Sequence, residues 1–178
     1  RFMALRGCRV KIIAGNHELE AWQRLRQGET FGLPRKQLTR LLDFIETLDL
    51  FHVEDSVLFL HGYPTLAFLR TLLHFREVTG KDPNLFNEDH FRKAFRSTEA
   101  INQYAYVQGK AGDNYILADV AEASAYYKKH GRHVVTLLRE LDIHTVIHGH
   151  RPQRSGKQTD YEFAKSIPGV RMISNDTK

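Results

Sequence analysis

The sequence predicts an α/β fold built in layers, in which loops at the ends of strands carry the chemistry. Short β-prone runs alternate along the chain with segments of helical periodicity, and three of these runs end directly in polar residues. The composition agrees with this fold class. Of 178 residues, 42% are hydrophobic and 26% are charged, which excludes a disordered or collagen-like chain and allows a real core.

Charge, hydropathy and cysteine content limit the classes of protein to which this chain can belong. The longest apolar runs, such as residues 57–60, are far shorter than the ~20 residues of a membrane helix, so we expect a soluble domain and no membrane partner. An excess of 26 Lys and Arg over 21 Asp and Glu gives a net charge of +5. These basic residues are scattered, so we do not expect a nucleic-acid partner. The single cysteine, Cys8, excludes an internal disulfide framework and favours a reducing compartment such as the cytoplasm.

The chain begins with a predicted strand, tight turn and helix. Residues 9–14 are a β-prone run that ends at Gly15, and residues 17–27 have the composition of a helix start. Residues 34–50 begin with proline, which favours a helix start. Their apolar residues recur at three- and four-residue steps and form one stripe: Leu38, Leu41, Leu42, Ile45 and Leu48.

A hairpin is predicted next. Two extended runs, residues 51–53 and 57–60, are separated by the turn formers of residues 54–56. The second strand stops at His61. As in the run that ends at Gly15, a predicted strand is therefore followed directly by a turn with a polar side chain.

Helices dominate the middle of the chain. Residues 64–78 have helical character, and a turn cluster at residues 80–84 marks the clearest internal boundary. After it, helical spacing of apolar residues and a helix-prone segment at 117–129 predict a helical insert over residues 81–130.

The chain then returns to alternating elements. Residues 134–142 predict one more helix, residues 144–148 a β-branched strand, and residues 170–174 a last strand. A sheet of so few strands would leave an edge bare. We therefore expect the sequence to be part of a larger unit.

Three predicted loops offer nitrogen or oxygen donors directly after an apparent strand. They carry Asn16 with His17, then His61, and then His150, and they converge if the strands are parallel neighbours. Asparagine oxygen and neutral imidazole are ligands for zinc, manganese or iron, whereas calcium or magnesium would prefer carboxylates. The donor types therefore predict a first-row transition-metal site.

The motifs in these loops resemble those of a known family. Residues 15–18 (GNHE) at a strand end resemble the G-N-H-[ED] motif of the calcineurin-like metallophosphoesterases, and residues 60–62 and 149–150 resemble their two later histidine motifs in order. The hairpin before His61 and the string LFLHGYP are similar to the phosphoprotein phosphatase branch. The motifs are specific through their order, spacing and strand context taken together.

The resemblance implies a metallophosphoesterase-like fold, a layered β-sandwich flanked by helices, with the helical insert described above. It also implies that Asn16, His61 and His150 coordinate one ion of a centre of two divalent transition-metal ions (Mn, Zn or Fe). His17 is implied as the general acid. Two cations ~3.5–4 Å apart clamp a phosphoryl group and generate hydroxide near neutral pH, and an imidazole beside a ligand can protonate the leaving alkoxide.

The sequence also departs from the family pattern. The family's first two motifs, G-D-x-H-G and G-D-x-x-D-R-G, are absent, and with them the aspartate and histidine ligands that would complete the centre. We therefore expect residues 1–178 to be the C-terminal portion of one metallophosphoesterase-like domain, with the missing N-terminal half as a partner. The remaining ligands would hold one ion, with an open position, and we expect that the second ion can be lost without the upstream motifs.

Several other residues admit two interpretations. His148 shares a strand face with His150 and is a possible ligand, but we expect a strand-end or supporting histidine. Arg151 and Arg154 either bind substrate phosphate or lie solvated on the surface. The aromatic residues of the insert favour internal packing over an interaction surface: Phe86, Phe91, Phe95, Tyr104, Tyr106, Tyr115, Tyr126 and Tyr127.

Together these observations predict a metal-dependent phosphatase that hydrolyses phosphomonoesters of phosphorylated proteins or peptides, by attack of metal-activated water. A nucleotide or nucleic-acid phosphodiesterase of the same superfamily is the alternative enzyme. A binding module without activity, which docks a partner through residues 81–130, is the alternative from another class. No C-x5-R loop follows Cys8, so a covalent cysteine phosphatase is not expected.

Overall fold

The structure, a computed structural model, describes residues 10–97, 117–118, 120–149 and 170–174, with side chains except at 117–118, 120–125 and 174. Its helices are α1 (Asn16–Arg26), α2 (Arg35–Ile45), α3 (Leu66–Thr79), the short α4 (Arg92–Ala94) and α5 (Val120–Glu140). Its strands are β1 (Phe51–Glu54), β2 (Val57–Leu60), β3 (Tyr63–Pro64), β4 (Leu117–Ala118), β5 (Thr145–His148) and β6 (Arg171–Ser174). Between α3 and α4 lie a 3-10 turn (Pro83–Leu85) and a π-helical turn (Asn87–Phe91).

The main sheet has four strands in the order β1-β2-β5-β6. β1 and β2 are the antiparallel hairpin that the sequence predicts, and β5 and β6 join β2 in parallel. A second, two-stranded sheet pairs β3 with β4. The predicted α/β class with a metallophosphoesterase-like fold is confirmed by this mixed sheet and its helices.

Parallel pairing brings two of the predicted loops to the same edge of the sheet. In the register of β2 and β5, Leu60 lies opposite His148. The residues that follow these strands, His61 and Gly149, therefore emerge side by side at the carboxyl end. The expected convergence of these loops is confirmed.

The backbone conformation of two central residues forms the tight turn of the hairpin. Asp55 and Ser56 both have positive φ, at 49° and 61°, as a two-residue type I′ turn requires. The twist of this turn matches the twist of the strands, so β1 and β2 pair in register over their whole length.

The predicted strand at residues 9–14 is wrong for the part of it that the structure describes. Residues 10–14 form a single parallel bridge, between Ile13 and Asp49. The next pairing group on this side of the strand would be the carbonyl oxygen of Phe51, which accepts a hydrogen bond from the side-chain amide of Asn87 at 2.9 Å instead. An asparagine amide thus occupies the position that the next strand residue would need.

The two helices predicted at 117–129 and 134–142 are in fact one, since α5 runs without a break from Val120 to Glu140. Gly131 lies inside it, where glycine costs about 1 kcal/mol relative to alanine. Tyr127, Gly131, Val134 and Leu138 are buried and form one continuous stripe at helical spacing. Packing of α5 against α3 outweighs the local propensity.

The first part of the predicted insert belongs to the main core. Phe86, Phe91, Ala94 and Phe95 are buried in the same cluster as the sheet and α1, and Phe95 packs edge-on against Trp22 with 5.3 Å between the ring centroids. Internal packing is thus confirmed for the insert aromatics that the structure describes; Tyr104, Tyr106 and Tyr115 lie outside the described residues. The boundaries 81–130 stay a prediction.

In the part of the chain that the structure covers, no helix is long and apolar enough to cross a membrane.

Candidate metal centre

Asn16 and His61 meet although they lie far apart in the sequence. Asn16 is the first residue of α1, and His61 directly follows β2. The side-chain Oδ1 of Asn16 and Nε2 of His61 are 2.9 Å apart. The structure therefore brings together an amide oxygen and an imidazole nitrogen from two of the three predicted loops.

Gly15 makes the room for this contact. A Cβ atom at residue 15 would lie 2.8 Å from Cε1 and 2.9 Å from Nδ1 of His61. The backbone of Gly15, with φ −102° and ψ −176°, is one that any residue adopts. Glycine is required here because the imidazole of His61 lies against the backbone, and not because the turn is strained.

Glu18 completes the start of α1. Its carboxylate Oε2 accepts the backbone N–H of Gly15 at 2.8 Å, which is the returning half of a capping box. A negative charge in the first turn also suits the helix dipole. Three of the four residues of the GNHE string thus have a local reason: Gly15 supplies space, Asn16 an oxygen, and Glu18 the cap.

His17 lies in the first turn of α1, beside Asn16, and its side chain is exposed. Solvent and a bound substrate can therefore reach the imidazole. Its role as a general acid stays a prediction.

The third loop is tied to the second through the backbone. The N–H of Gly149 donates to the carbonyl oxygen of His61 at 3.0 Å, so residue 149 lies next to the Asn16–His61 pair. His150, the third predicted ligand, lies outside the described residues, as do Arg151 and Arg154. Their roles remain predictions.

His148 is buried, with 5% of its surface exposed. Its ring lies on Tyr63, with 4.2 Å between the centroids, and its Nδ1 is 3.2 Å from the carbonyl oxygen of Gly149. This position fits the expectation of a strand-end supporting histidine. Sequence reasoning did not single out Tyr63, and the only available signal was an aromatic residue two positions after His61.

A cleft of about 230 Å³ opens at the carboxyl ends of β2 and β5. It is lined by Ile13, Phe59, Leu60, His61, Ile147, His148 and Gly149. The walls are mainly apolar, with imidazole groups at the end where the loops converge. Such a wall lowers the local dielectric and strengthens electrostatic interactions inside the cleft.

Comparison with known families decides the class. The family described as calcineurin-like phosphoesterase matches residues 1–154, a span that contains all three loops. The chain belongs to the calcineurin-like phosphoesterase family. Comparisons with curated proteins and with solved structures give no match.

Calcineurin-like phosphoesterases generally use divalent metal ions, and family membership makes this chain a metal-dependent phosphoesterase. Two ligand atoms at ~2.0–2.2 Å from one ion lie about 3 Å apart when they are adjacent in an octahedron. The 2.9 Å between Asn16 Oδ1 and His61 Nε2 fits this separation. No group of three His, Cys, Asp or Glu side chains gathers among the residues that the structure describes. Of the three predicted ligands, Asn16 and His61 lie within the described residues and His150 does not.

Proposed function

We propose that the protein is a phosphatase that hydrolyses phosphomonoesters of phosphorylated proteins, with metal-activated water as the nucleophile and His17 as the general acid. The observation that carries the proposal is the 2.9 Å contact between Asn16 and His61, next to an exposed imidazole at residue 17. The hairpin β1-β2 that delivers His61, which resembles the phosphoprotein phosphatase branch, supports the choice of substrate.

The metal ligands in this proposal are Asn16, His61 and His150. When bound, the divalent ions supply a hydroxide nucleophile near neutral pH and offset negative charge on the phosphoryl oxygens. Asn16 and His61 hold their donor atoms on rigid supports, the first turn of α1 and the end of β2. The residue before His150 in the sequence, Gly149, donates its backbone N–H to the carbonyl oxygen of His61, which supports His150 as the third ligand.

His17 handles the proton of the leaving group. In its imidazolium form it donates a proton to the leaving alkoxide oxygen as the P–O bond breaks, and it becomes neutral. Because the side chain is exposed, it regains the proton from solvent. In this proposal His17 is the chain neighbour of the ligand Asn16 in the first turn of α1 and is not itself a ligand.

The metal part of the proposal is tested by titrating Co²⁺ into the protein and its variants. Asn16→Ala and His61→Ala should each lower the affinity by at least the ~10–100-fold that loss of a supporting residue costs. His144→Ala is the matched control, because His144 is exposed and lies before β5, at the opposite end of the strand from Gly149. Unchanged affinity in both ligand variants would refute the site.

The catalytic part is tested in the intact natural polypeptide with Mn²⁺ present. His17→Ala should lower kcat by ~10²–10⁴-fold for phosphoserine peptides, and by much less for p-nitrophenyl phosphate, whose acidic leaving group needs no proton. Equal losses on both substrates would refute the general-acid role.

The same preparation separates the proposed phosphatase from the alternatives. Faster hydrolysis of bis-p-nitrophenyl phosphate or dinucleotides than of phosphopeptides would favour a phosphodiesterase. A protein that binds no metal and cleaves no phosphoester would favour a binding module.

A further inference from the structure

Asp49 is a buried carboxylate outside the predicted metal site. Only 5% of the surface of Asp49 is exposed. Asp and Glu are almost never buried without a partner. The partner is Arg92, whose Nη2 lies 2.5 Å from Asp49 Oδ1. Lys11 lies further off, with its Nζ 3.4 Å from Oδ2. Asp49 therefore links three separate segments of the chain.

The backbone of Asp49 holds the segment that leads into the metal-ligand turn. Its carbonyl oxygen accepts the N–H of Ala14 at 2.8 Å, and its own N–H donates to the carbonyl oxygen of Ile12 at 3.1 Å. Ala14 is buried and immediately precedes Gly15. The direction in which the chain enters the turn is thus set by hydrogen bonds to a single residue.

Arg92 brings a second support to the same place. It begins α4, and three residues later Phe95 packs against Trp22 of α1. The Nε atom of Arg92 is buried with no hydrogen-bond partner in the described structure. Its other carboxylate neighbour, Glu88, is mostly exposed and 3.5 Å away. Among the described residues, Asp49 is therefore the main counter-charge of Arg92.

We infer that Asp49 is a positioning residue for the metal-ligand turn. Its ion pair with Arg92 fixes the carboxylate, the carboxylate fixes the orientation of its own backbone, and that backbone holds Ala14 and thereby the turn at Gly15 and Asn16. Asp49 makes no described contact with Asn16 or His61. The inference rests on the proposed function, because it concerns the same metal site.

The test is Asp49→Asn, which keeps the size of the side chain and removes its charge. We expect Co²⁺ affinity to fall by about 10–100-fold, and the visible absorption band of Co²⁺ at saturation to change, because the ligand geometry changes. Hydrogen exchange at the Ala14 amide should accelerate. Asp49→Glu restores the charge and should recover part of the affinity.

Lys81→Met is the matched control. It removes the ion pair of Lys81 with Asp89, which lies on the same helical segment as Arg92 but does not involve Asp49. We expect its Co²⁺ affinity and absorption band to match those of the unchanged protein. An equal loss in this control would overturn the inference, because it would mean that any weakening of the segment has the same effect.

Three other results decide the matter. Asp49→Asn with unchanged affinity, absorption band and Ala14 exchange overturns the inference. If Asp49→Asn does not fold, Arg92→Gln, which removes the counter-charge of Asp49, replaces it, and an unchanged Co²⁺ band there overturns the inference. If the unchanged protein binds no Co²⁺, the proposed function fails. Ala14 exchange in Asp49→Asn then decides alone whether Asp49 positions the turn.

Discussion

The backbone of Gly15 lies directly against the imidazole of His61, so close that a Cβ atom at residue 15 would be 2.8 Å from Cε1. The same Cβ would be 2.9 Å from the Glu18 carboxylate that caps α1. One added methyl group therefore disturbs both the helix start and the orientation of a predicted metal ligand. Two predictions about metal binding and stability follow from this contact.

Gly15→Ala should lower the free energy of unfolding by about 1–3 kcal/mol, as overpacking of a filled site does. It should also lower Co²⁺ affinity, because His61 must move away from Asn16. Urea unfolding and Co²⁺ titration measure the two effects.

Gly28→Ala separates these effects. Gly28 has φ +93°, and no atom of the described residues lies within 4 Å of the added Cβ, so the substitution strains the backbone without touching the site. We expect it to destabilise the protein and leave Co²⁺ affinity unchanged. A Gly15→Ala protein that binds Co²⁺ as well as Gly28→Ala would contradict the importance of the His61 contact.

The ring of Tyr63 supports His148 and also packs edge-on against Tyr127, with 5.8 Å between the centroids. Tyr63→Leu removes both ring contacts, each worth about 1 kcal/mol beyond the buried area. We expect a loss of about 2 kcal/mol in the free energy of unfolding, and a shift of the His148 ring protons in NMR spectra. Tyr126→Phe, which removes the acceptor of the Leu66 N–H and leaves the His148 stack in place, should not shift those protons.

Local pattern was sufficient to predict much of this fold. The hairpin was predicted because turn formers separate two β-prone runs, and α2 because its apolar residues recur at helical spacing. Residues 10–14 could not be predicted correctly, because the partner that ends their pairing is an asparagine side chain distant in sequence. The unbroken α5 could not be predicted either, because its stability at Gly131 comes from packing on α3.

The candidate site, like the fold, was predictable from the sequence only in part. The proximity of Asn16 and His61 was predicted from strand ends and motif order, while the supports around them were not. Asp49, Arg92 and Tyr63 act through tertiary contacts, and nothing in the sequence near each of them points to its partner. The predicted ligands Asn16 and His61 lie in recognisable motifs, whereas Asp49, Arg92 and Tyr63 do not.

Lys81 gives a prediction on pH dependence. Its hydrogen bond and charge hold the pKa of Asp89 below the ordinary value. A carboxyl with a lowered pKa stabilises the fold above its unfolded-state pKa, and this contribution is lost as the pH falls through the folded-state pKa. Lys81→Met should therefore raise the pKa of Asp89, which NMR titration of the carboxyl carbon measures.

Two asparagine amides cover the outer edge of β1. The side chain of Asn87 accepts the N–H of Leu50 at 2.7 Å and donates to the carbonyl oxygen of Phe51 at 2.9 Å. The side chain of Asn84 likewise accepts the N–H of Val53 at 2.7 Å and donates to the carbonyl oxygen of Val53 at 2.8 Å. These amides satisfy the backbone groups that a further strand would otherwise pair with.

Asn87→Asp keeps the shape of the side chain and replaces the donor with a second oxygen. Because Asn87 is only 2% exposed, a carboxylate there would face the Phe51 carbonyl without compensation, and we expect a loss of about 3–5 kcal/mol at neutral pH. Asn84→Asp, at a half-buried position, should cost less because water can reach the charge. Urea unfolding gives both values, and size-exclusion chromatography reports whether the opened edge associates. Equal stability of the two variants would mean that burial does not set the importance of these amides.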